Sequence, residues 1–310
     1  MSRLDEIETF VAIVDAGTLT GAAQRDGLAL SAVSRRLKDL EARMGSTLIH
    51  RTTRTLALTD EGQDFYRRCK QILSDLEEAE TNLKDRRGRI TGRIRVAAPL
   101  TFSVRHLSPI LLDFMTQNPE VHVELDLNDR RVDLIEEGFD LAIRIGRLAD
   151  SSMIAKRLTR IRHVPAAAPA LLDRLGRPER PEDLVHFPAL TYRSRSPRTT
   201  WDFIRPDSST GSVEMQSAMT CNNGDILSAA AEKGLGVAFE PTFICAPAIM
   251  QGRLEPLFTD HDWSDNGAYV VFPENRALPR RVRALVDFLS DHLSSDPWWD
   301  KDLMKSYPLS

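Results

Sequence analysis

The amino-acid sequence predicts an α/β chain in two parts: a helical N-terminal region with one small hairpin, then a pair of α/β lobes, with a single long helix between them. Helical spacing of apolar residues dominates positions 1–92, whereas strand-like and helix-like segments alternate from 93 to 300. The long helix, from Thr59 onward, carries apolar residues at alternating spacings of four and three.

The first helix is set by Leu4, Ile7, Phe10, Val11 and Val14, and Gly17 closes it. Thr18 and Thr20 are candidate caps for a second, "TGAAQRDGL", whose Ala22 and Ala23 permit close helix approach. Gly27 makes the turn, and Ser31 is expected to cap "LSAVSRRLKDLEARMG". On that third helix Val33, Leu37, Leu40 and Met44 form an apolar stripe, while Ser31, Ser34, Arg35 and Lys38 project elsewhere. The net charge of -4 says little about an anionic partner, but the distribution does. Arg35, Arg36, Lys38, Arg43, Arg51 and Arg54 crowd residues 31–54 against only Asp39 and Glu41. A helix entering the major groove needs small residues for approach and Arg or Ser for phosphates and base edges. In "LIHRTTRTLALTDEG", two short apolar runs flank the basic tip from His50 to Arg54, which reads as a wing beside that helix.

The following helix has Asp60 and Glu61 at its positive end. Phe65, Cys69, Ile72, Leu76, Ala79 and Leu83 make its heptad seam, expected to pair two chains. "KDRRGRITG" ends it as a hinge.

Beyond it, "GRIRVAAP", "VHVELDLN" and "FDLAIRIG" read as strands separated by the helices "SVRHLSPILLDFMTQNP" and "RVDLIEEG". A second set, "HVPAAAP", "FPALTY", "VEMQSAMT", "GDILSAAAEKG" and "LGVAFEP", precedes a return through "GAYVVFP" and "LPRRVRALVDFLSDHL". This predicts doubly wound lobes with parallel strands, joined by crossings near Arg162 and Gly267. Such lobes bind small molecules where strand ends and helix N-termini converge. Thr101 and Ser103, and the turn holding Thr220, Asn222, Asn223 and Asp225, lie at such places, although helix capping explains them equally.

"AVSRRLKDLEARMGSTLIHRTTRTLALTDEG" resembles the winged helix-turn-helix of LysR-type transcriptional regulators, and the resemblance extends over essentially the whole chain. "FDLAIRIGRLADSSMIAKRL" and "NNGDILSAAAEKGLGVAFEP" resemble that family's effector-binding domain, which has the two-lobed architecture of type II periplasmic binding proteins. The resemblance implies a DNA-binding domain over 1–59, a dimerisation helix and hinge over 60–92, and an effector domain over 93–300, with a tail over 301–310. Lobe I is expected over 93–162 and 268–300, and lobe II over 163–267. DNA contacts are expected from Thr20, Ser31, Ser34, Arg35, Arg36 and Lys38 and from a wing of Arg51, Thr53 and Arg54. Effector contacts are expected from Leu100, Thr101, Phe102, Ser103, Arg144, Gly146, Tyr192, Asn222, Asn223, Asp225 and Phe239. Implied partners are operator DNA, a carboxylate or aromatic metabolite, further copies in a dimer and tetramer, and RNA polymerase if the protein activates. Leu19, Ala29 and Leu30 depart from the family's usual aromatic or polar residues there. Glu240 stands where an apolar residue is usual, which marks an altered cleft or an exposed strand end.

Other classes fit less of the chain. With 42% hydrophobic and 28% charged residues in 310, disordered and fibrous classes are excluded. Acidic residues near the start and the lack of a long apolar run point to a cytoplasmic protein without a membrane partner. No HExxH, GxSxG or P-loop occurs, and Gly234 to Gly236 is no dinucleotide fingerprint, so no catalytic residues, metal or cofactor are expected. A free solute-binding protein would leave the basic helix and wing unexplained. Cys69, Cys221 and Cys245 form no metal or disulfide pattern and read as buried hydrophobes, with a redox role for Cys221 and Cys245 as the variant reading.

Overall fold

The computed structural model describes residues 2–51, 56–84, 89–146, 153–193, 200–263, 266–274, 278–293 and 297–307. The chain forms two compact units, Met1–Gly92 with Asp133–Phe139, and Arg93–Val132 with Asp140–Ser310.

The first unit begins with α1 (Arg3–Ala16), α2 (Leu19–Asp26) and α3 (Leu30–Met44). A capping box starts α1: Leu4 N donates to Ser2 Oγ, and Ser2 N to Asp5. Thr18 caps α2 by accepting from Gly21 N at 3.0 Å, and Gly27 leaves it at a φ of 65° that favours glycine. Ser31 does not cap α3. The cap is Ala29, whose carbonyl accepts from Ala32 N and Val33 N, so the helix starts on main-chain bonds and Ser31 already lies within its first turn. Val33, Leu37 and Leu40 are fully buried with Phe10, Ile13 and Ala22. Met44 is exposed, because the helix stops at Gly45 before its last turn meets that core.

The hairpin pairs β1 (Ile49–Arg51) with β2 (Leu56–Leu58) antiparallel, Ile49 opposite Leu58. Glu41 of α3 accepts from Leu48 N and Ile49 N, which fixes β1 to that helix. α4 (Asp60–Lys84) follows, capped by Thr59, whose Oγ1 accepts from Gly62 N at 2.9 Å. A Cβ at Gly62 would lie 2.0 Å from the Leu48 carbonyl oxygen, so only glycine allows this approach. Phe65 meets Phe10 with ring centroids 5.5 Å apart, and Cys69 is fully buried in the same core. Cys69 is thus closed to a second chain, in contrast to the expected seam, and Phe65 is half-buried against this core. Ile72 is the first seam position left exposed, Leu76 is half-buried, and the Ala79 and Leu83 side chains lie outside the described residues.

The second unit opens with β3 (Gly92–Ala98), α5 (Leu100–Phe102), a π-helical turn over Ser103–Leu107, α6 (Ser108–Gln117) and β4 (Val121–Leu127). β5 (Leu141–Gly146), β6 (Met153–Ile161), β7 (His163–Ala167), α7 (Pro169–Leu175), β8 (Pro188–Tyr192), β9 (Thr200–Ile204) and β10 (Thr210–Glu214) follow. Next come β11 (Gln216–Cys221), α8 (Gly224–Glu232), β12 (Val237–Pro241), α9 (Thr242–Met250), β13 (Glu255–Pro256), β14 (Asn266–Pro273), α10 (Arg280–His292) and α11 (Lys301–Ser306).

Lobe I holds a five-stranded sheet, β4-β3-β5-β14-β6, and lobe II another, β11-β8-β12-β7-β13. Neither is purely parallel, contrary to expectation. β3 runs parallel to β5, and β11 and β12 parallel to β8; but β14 is antiparallel to β5 and β6, and β7 to β12. β7 enters lobe II, and β14 re-enters lobe I, straight from the other lobe, so each arrives without the helical crossover that makes neighbours parallel. β14 already pairs with β6 at Asn266, opposite Ile161, so the return crossing precedes Gly267. The helix expected from "RVDLIEEG" is a run of turns. Asp133 Oδ1 accepts from Ile135 N and Glu136 N, and Gly138 at φ 70° stops the chain after a single turn.

The first crossing is a short buried link. Arg162, between β6 and β7, donates from Nη1 to Asp300 Oδ2 at 3.0 Å, with side-chain exposures of 7% and 1%. Thr242 Oγ1 donates to the Arg162 carbonyl. Beside Asp300, Trp299 lies against His106 at 4.4 Å and against Phe102 and Phe243, while Leu303 of α11 is buried in the core of lobe II. The C-terminal residues therefore clasp both lobes at their junction. Burial pushes the His106 imidazole down to about 4, so it is neutral at physiological pH. Asp300→Ala leaves a buried guanidinium without its carboxylate and is expected to cost about 3–5 kcal/mol; urea unfolding of the full chain measures it, and a change near zero would show the pair to be dispensable.

Candidate functional site

Two surfaces carry chemistry. On the first unit, the buried stripe of α3 turns Ser31, Arg35 and Lys38 outward, with Ser34 half-buried beside them and Thr20 exposed near the start of α2. Positions 31, 34, 35 and 38 follow one another at helical spacing and share a face. A small hydroxyl edge with two long cations suits a groove whose walls are phosphate and whose floor offers paired acceptors. Arg36 does not belong to it: its Nη1 donates to Thr9 Oγ1 at 3.0 Å, which ties it to α1. Arg43 is likewise held by Glu6, at 2.6 Å. Arg51 ends β1, but its side chain, with Thr53 and Arg54, lies outside the described residues.

The second is a cavity of about 700 Å³ between the lobes. Lobe I contributes Thr101, Phe102, Asp129, Arg130, Arg131, Arg144 and Gly146; His163, Tyr192, Gly224, Phe239, Glu240 and Phe243 face them from lobe II. Two polar latches join the lobes beside it. In one, Thr101 Oγ1 donates to Asp225 Oδ2 at 3.0 Å and accepts from Asn223 Nδ2 at 3.4 Å; Arg105 also pairs with Asp225 and donates to the Phe243 and Ile244 carbonyls. In the other, the Tyr192 hydroxyl donates to the Asn222 carbonyl at 2.9 Å and meets the Asp129 carboxyl of lobe I.

Burial dominates the electrostatics here. It pushes His163 down to about 4, leaving a neutral ring against Phe239. It raises the carboxyl of Asp129, and, with the adjacent Asp129 charge, the Tyr192 hydroxyl. Glu240 is the extreme case. It is 2% exposed, neither carboxyl oxygen has a hydrogen-bond partner among the described residues, and burial together with nearby Asp225 holds it well above the ordinary carboxylate range. Oε2 sits so close to Gly224 that a Cβ there would be 2.4 Å away.

A helix-turn-helix with a hairpin, followed by a two-lobed domain with a cleft, is what two family descriptions match: "Bacterial regulatory helix-turn-helix protein, lysR family" over residues 4–63 and "LysR substrate binding domain" over 87–294. The chain belongs to the LysR family of transcriptional regulators. It is a DNA-binding regulator with an effector-binding domain, and not an enzyme. It is 33% identical to the regulator PtxR of Pseudomonas aeruginosa, over 96% of this chain and 95% of that one. To the regulator CrgA of Neisseria meningitidis it is 30% identical, over 94% and 97%. The solved structure of CrgA superposes with a TM-score of 0.58 at 29% identity, covering 95% of this chain and all of that one. Full-length LysG of Corynebacterium glutamicum, solved with bound effector Arg, shares the fold at TM-score 0.60 and 20% identity, over 94% and 98%.

Of the effector residues that the LysR resemblance implies, Thr101, Phe102, Arg144, Gly146, Tyr192 and Phe239 line the cavity. Leu100, Ser103, Asn222, Asn223 and Asp225 do not. Leu100 faces solvent and Ser103 is turned inward by the helical path from Leu100; Asn223 caps α8 at Ile226 N and, with Asp225, serves the latch. The Arg144 guanidinium donates to the Val132 carbonyl at 2.7 Å. His163, Asp129 and Phe243 were not singled out in the sequence. Asp129 could have been, because it follows the end of a recognised strand. Cys245 donates to the Pro241 carbonyl, and burial pushes its thiol up, which opposes thiolate chemistry.

Folding raises the Glu240 carboxyl above its ordinary 4.5, so its contribution is fully present at low pH and is lost as pH rises toward the folded value. Glu240→Gln is therefore expected to melt above the wild type at neutral pH, by about 2–4 °C per kcal/mol removed. Calorimetry across pH checks this: the gap should close toward about pH 4, and a pH-independent gap would contradict it.

Proposed function

We propose that α3 enters the major groove of operator DNA, with Ser31, Ser34 and Arg35 at base edges and Lys38 at phosphate. Thr20 approaches the backbone from α2, and the wing residues Arg51, Thr53 and Arg54 reach the flanking phosphates. The observation that carries this reading is the division of α3 into a fully buried stripe and an outward Ser31–Arg35–Lys38 face. Residues 1–59 are the DNA-binding domain and 60–92 the dimerisation helix and hinge. Two copies pair along α4 from Ile72 through Leu76 to Ala79 and Leu83, and such dimers assemble as a tetramer. The protein works in the cytoplasm, and contacts RNA polymerase if it activates.

The effector occupies the cavity between the lobes, whose volume suits a small metabolite. Phe102, Phe239 and Phe243 offer a surface for an aromatic body, and Arg130, Arg131 and Arg144 a wall for a carboxylate. Ligand contacts that compete with the Thr101–Asp225 and Tyr192–Asp129 latches shift the relative setting of the lobes, and residues 86–92 pass this on to the DNA-binding pair.

Footprinting on the DNA upstream of the protein's own coding sequence tests the regulator reading, with protection of a dyad as the expected result. Arg35→Ala should weaken operator binding by about 1–3 kcal/mol and random DNA far less; equal losses on both would make it a phosphate contact. Ile72 is 49% exposed on α4. Ile72→Asp is expected to shift the dimer toward monomer in sedimentation equilibrium by about tenfold or more, and an unchanged distribution would move the dimer interface elsewhere.

A further inference from the structure

Glu240 is unexplained by either latch. Glu240 lies at the cavity wall near the end of β12, and its two carboxyl oxygens are buried behind that wall, beside Gly224, without a hydrogen-bond donor among the described residues. A buried polar group in that condition is costly, and folded proteins seldom retain one without a use for it. Two further carboxyl groups are near it. Asp225 begins α8 next to it, and Asp129 is on the opposite wall beside Tyr192. Arg105, which pairs with Asp225, is also engaged by two carbonyls. Gly224 leaves room for the carboxyl where any side chain would collide with it.

We propose that Glu240 is the seat for a cationic nitrogen of the effector, an ammonium or guanidinium group, and that the cleft selects an organic cation with an apolar body. The inference rests on the cavity being the effector site. An ammonium or guanidinium supplies the donors that the carboxyl lacks and the positive charge that would let it ionise in a dry site. Phe239 and Phe243, at the same wall, cover the ligand's carbon frame. A carboxylate at the far end of the same molecule would meet the arginines of lobe I, so amino acids and their amine derivatives fall within the class. Carboxylates without a cation do not satisfy Glu240.

The test is binding to the full-length protein by calorimetry and thermal shift, using matched probes: phenethylamine, agmatine and arginine against hydrocinnamate and butyrate. Wild-type protein is expected to bind at least one cation, and Glu240→Gln to weaken that binding about tenfold or more while still melting cooperatively. Glu240→Asp, which keeps the charge, should lose less than Glu240→Gln. Cation binding that is equal in wild type and Glu240→Gln, or binding by no cation, overturns the proposal. If hydrocinnamate alone binds, and equally to both proteins, the cleft remains an effector site and only the role of Glu240 fails. If a cation binds through Glu240 but leaves the operator footprint unchanged, the Glu240 seat stands and the effector reading fails.

Discussion

The buried pair of Arg162 and Asp300 is the contact on which the rest of the effector-binding unit depends. Ion pairs of this kind gain little net stability over an apolar pair, because both partners lose their hydration. Their value is positional. Arg162 is where the chain leaves one sheet for the other, and Asp300 belongs to the segment that returns to close both cores. A buried guanidinium that loses its carboxylate is strongly unfavourable, which favours docking of the C-terminal turn at this point. Trp299 then meets Phe102 and His106 on one side, and Leu303 enters lobe II on the other. The two lobes are thereby joined at their junction by contacts independent of the latches.

The latches are of a different kind. Arg105 and Asp225 are partly exposed, and the latches add only the hydrogen bonds of Thr101 and Tyr192. Exposed pairs of this sort are worth about 0–1 kcal/mol each. A buried junction beside partly exposed latches leaves the latches as the contacts that a ligand can compete with, since a ligand shifts an equilibrium only by its differential affinity for the two states.

Much of this architecture was legible in the sequence where periodicity and local capping decide the outcome. α3, the wing strands and α8 each bury one face, and Val33, Leu37 and Leu40 announce theirs by spacing alone. α9 announces nothing: it is apolar nearly all round and contains Pro247, so no amphipathic period marks it. The mixed direction of the sheets was hidden because strand order is a property of crossings, not of composition. At the sites, residue type identified candidates, but tertiary partners reassigned them. Arg36 has the chemistry of a phosphate contact and is claimed by Thr9; Phe65 and Cys69 keep the heptad spacing and are claimed by the core around Phe10. Thr101, Asn223 and Asp225 stand at strand-to-helix turns as expected, yet they bind one another across the cleft.

Glu240 joins these levels. In sequence it is only a departure, one acid in "GVAFEP" where a hydrophobe would serve. In the fold its register opposite Val164 brings it to the junction of β12 and β7, where backbone bonding leaves no freedom to turn the strand outward. The acid must therefore point to the interior side of lobe II, beside Gly224 and the cavity. An alternating strand cannot export one residue without exporting those two positions away, and Ala238, on the same face as Glu240, is needed in the core. A carboxyl held there by register, against its own solvation, is a group whose hydrogen bonds nothing among the described residues supplies.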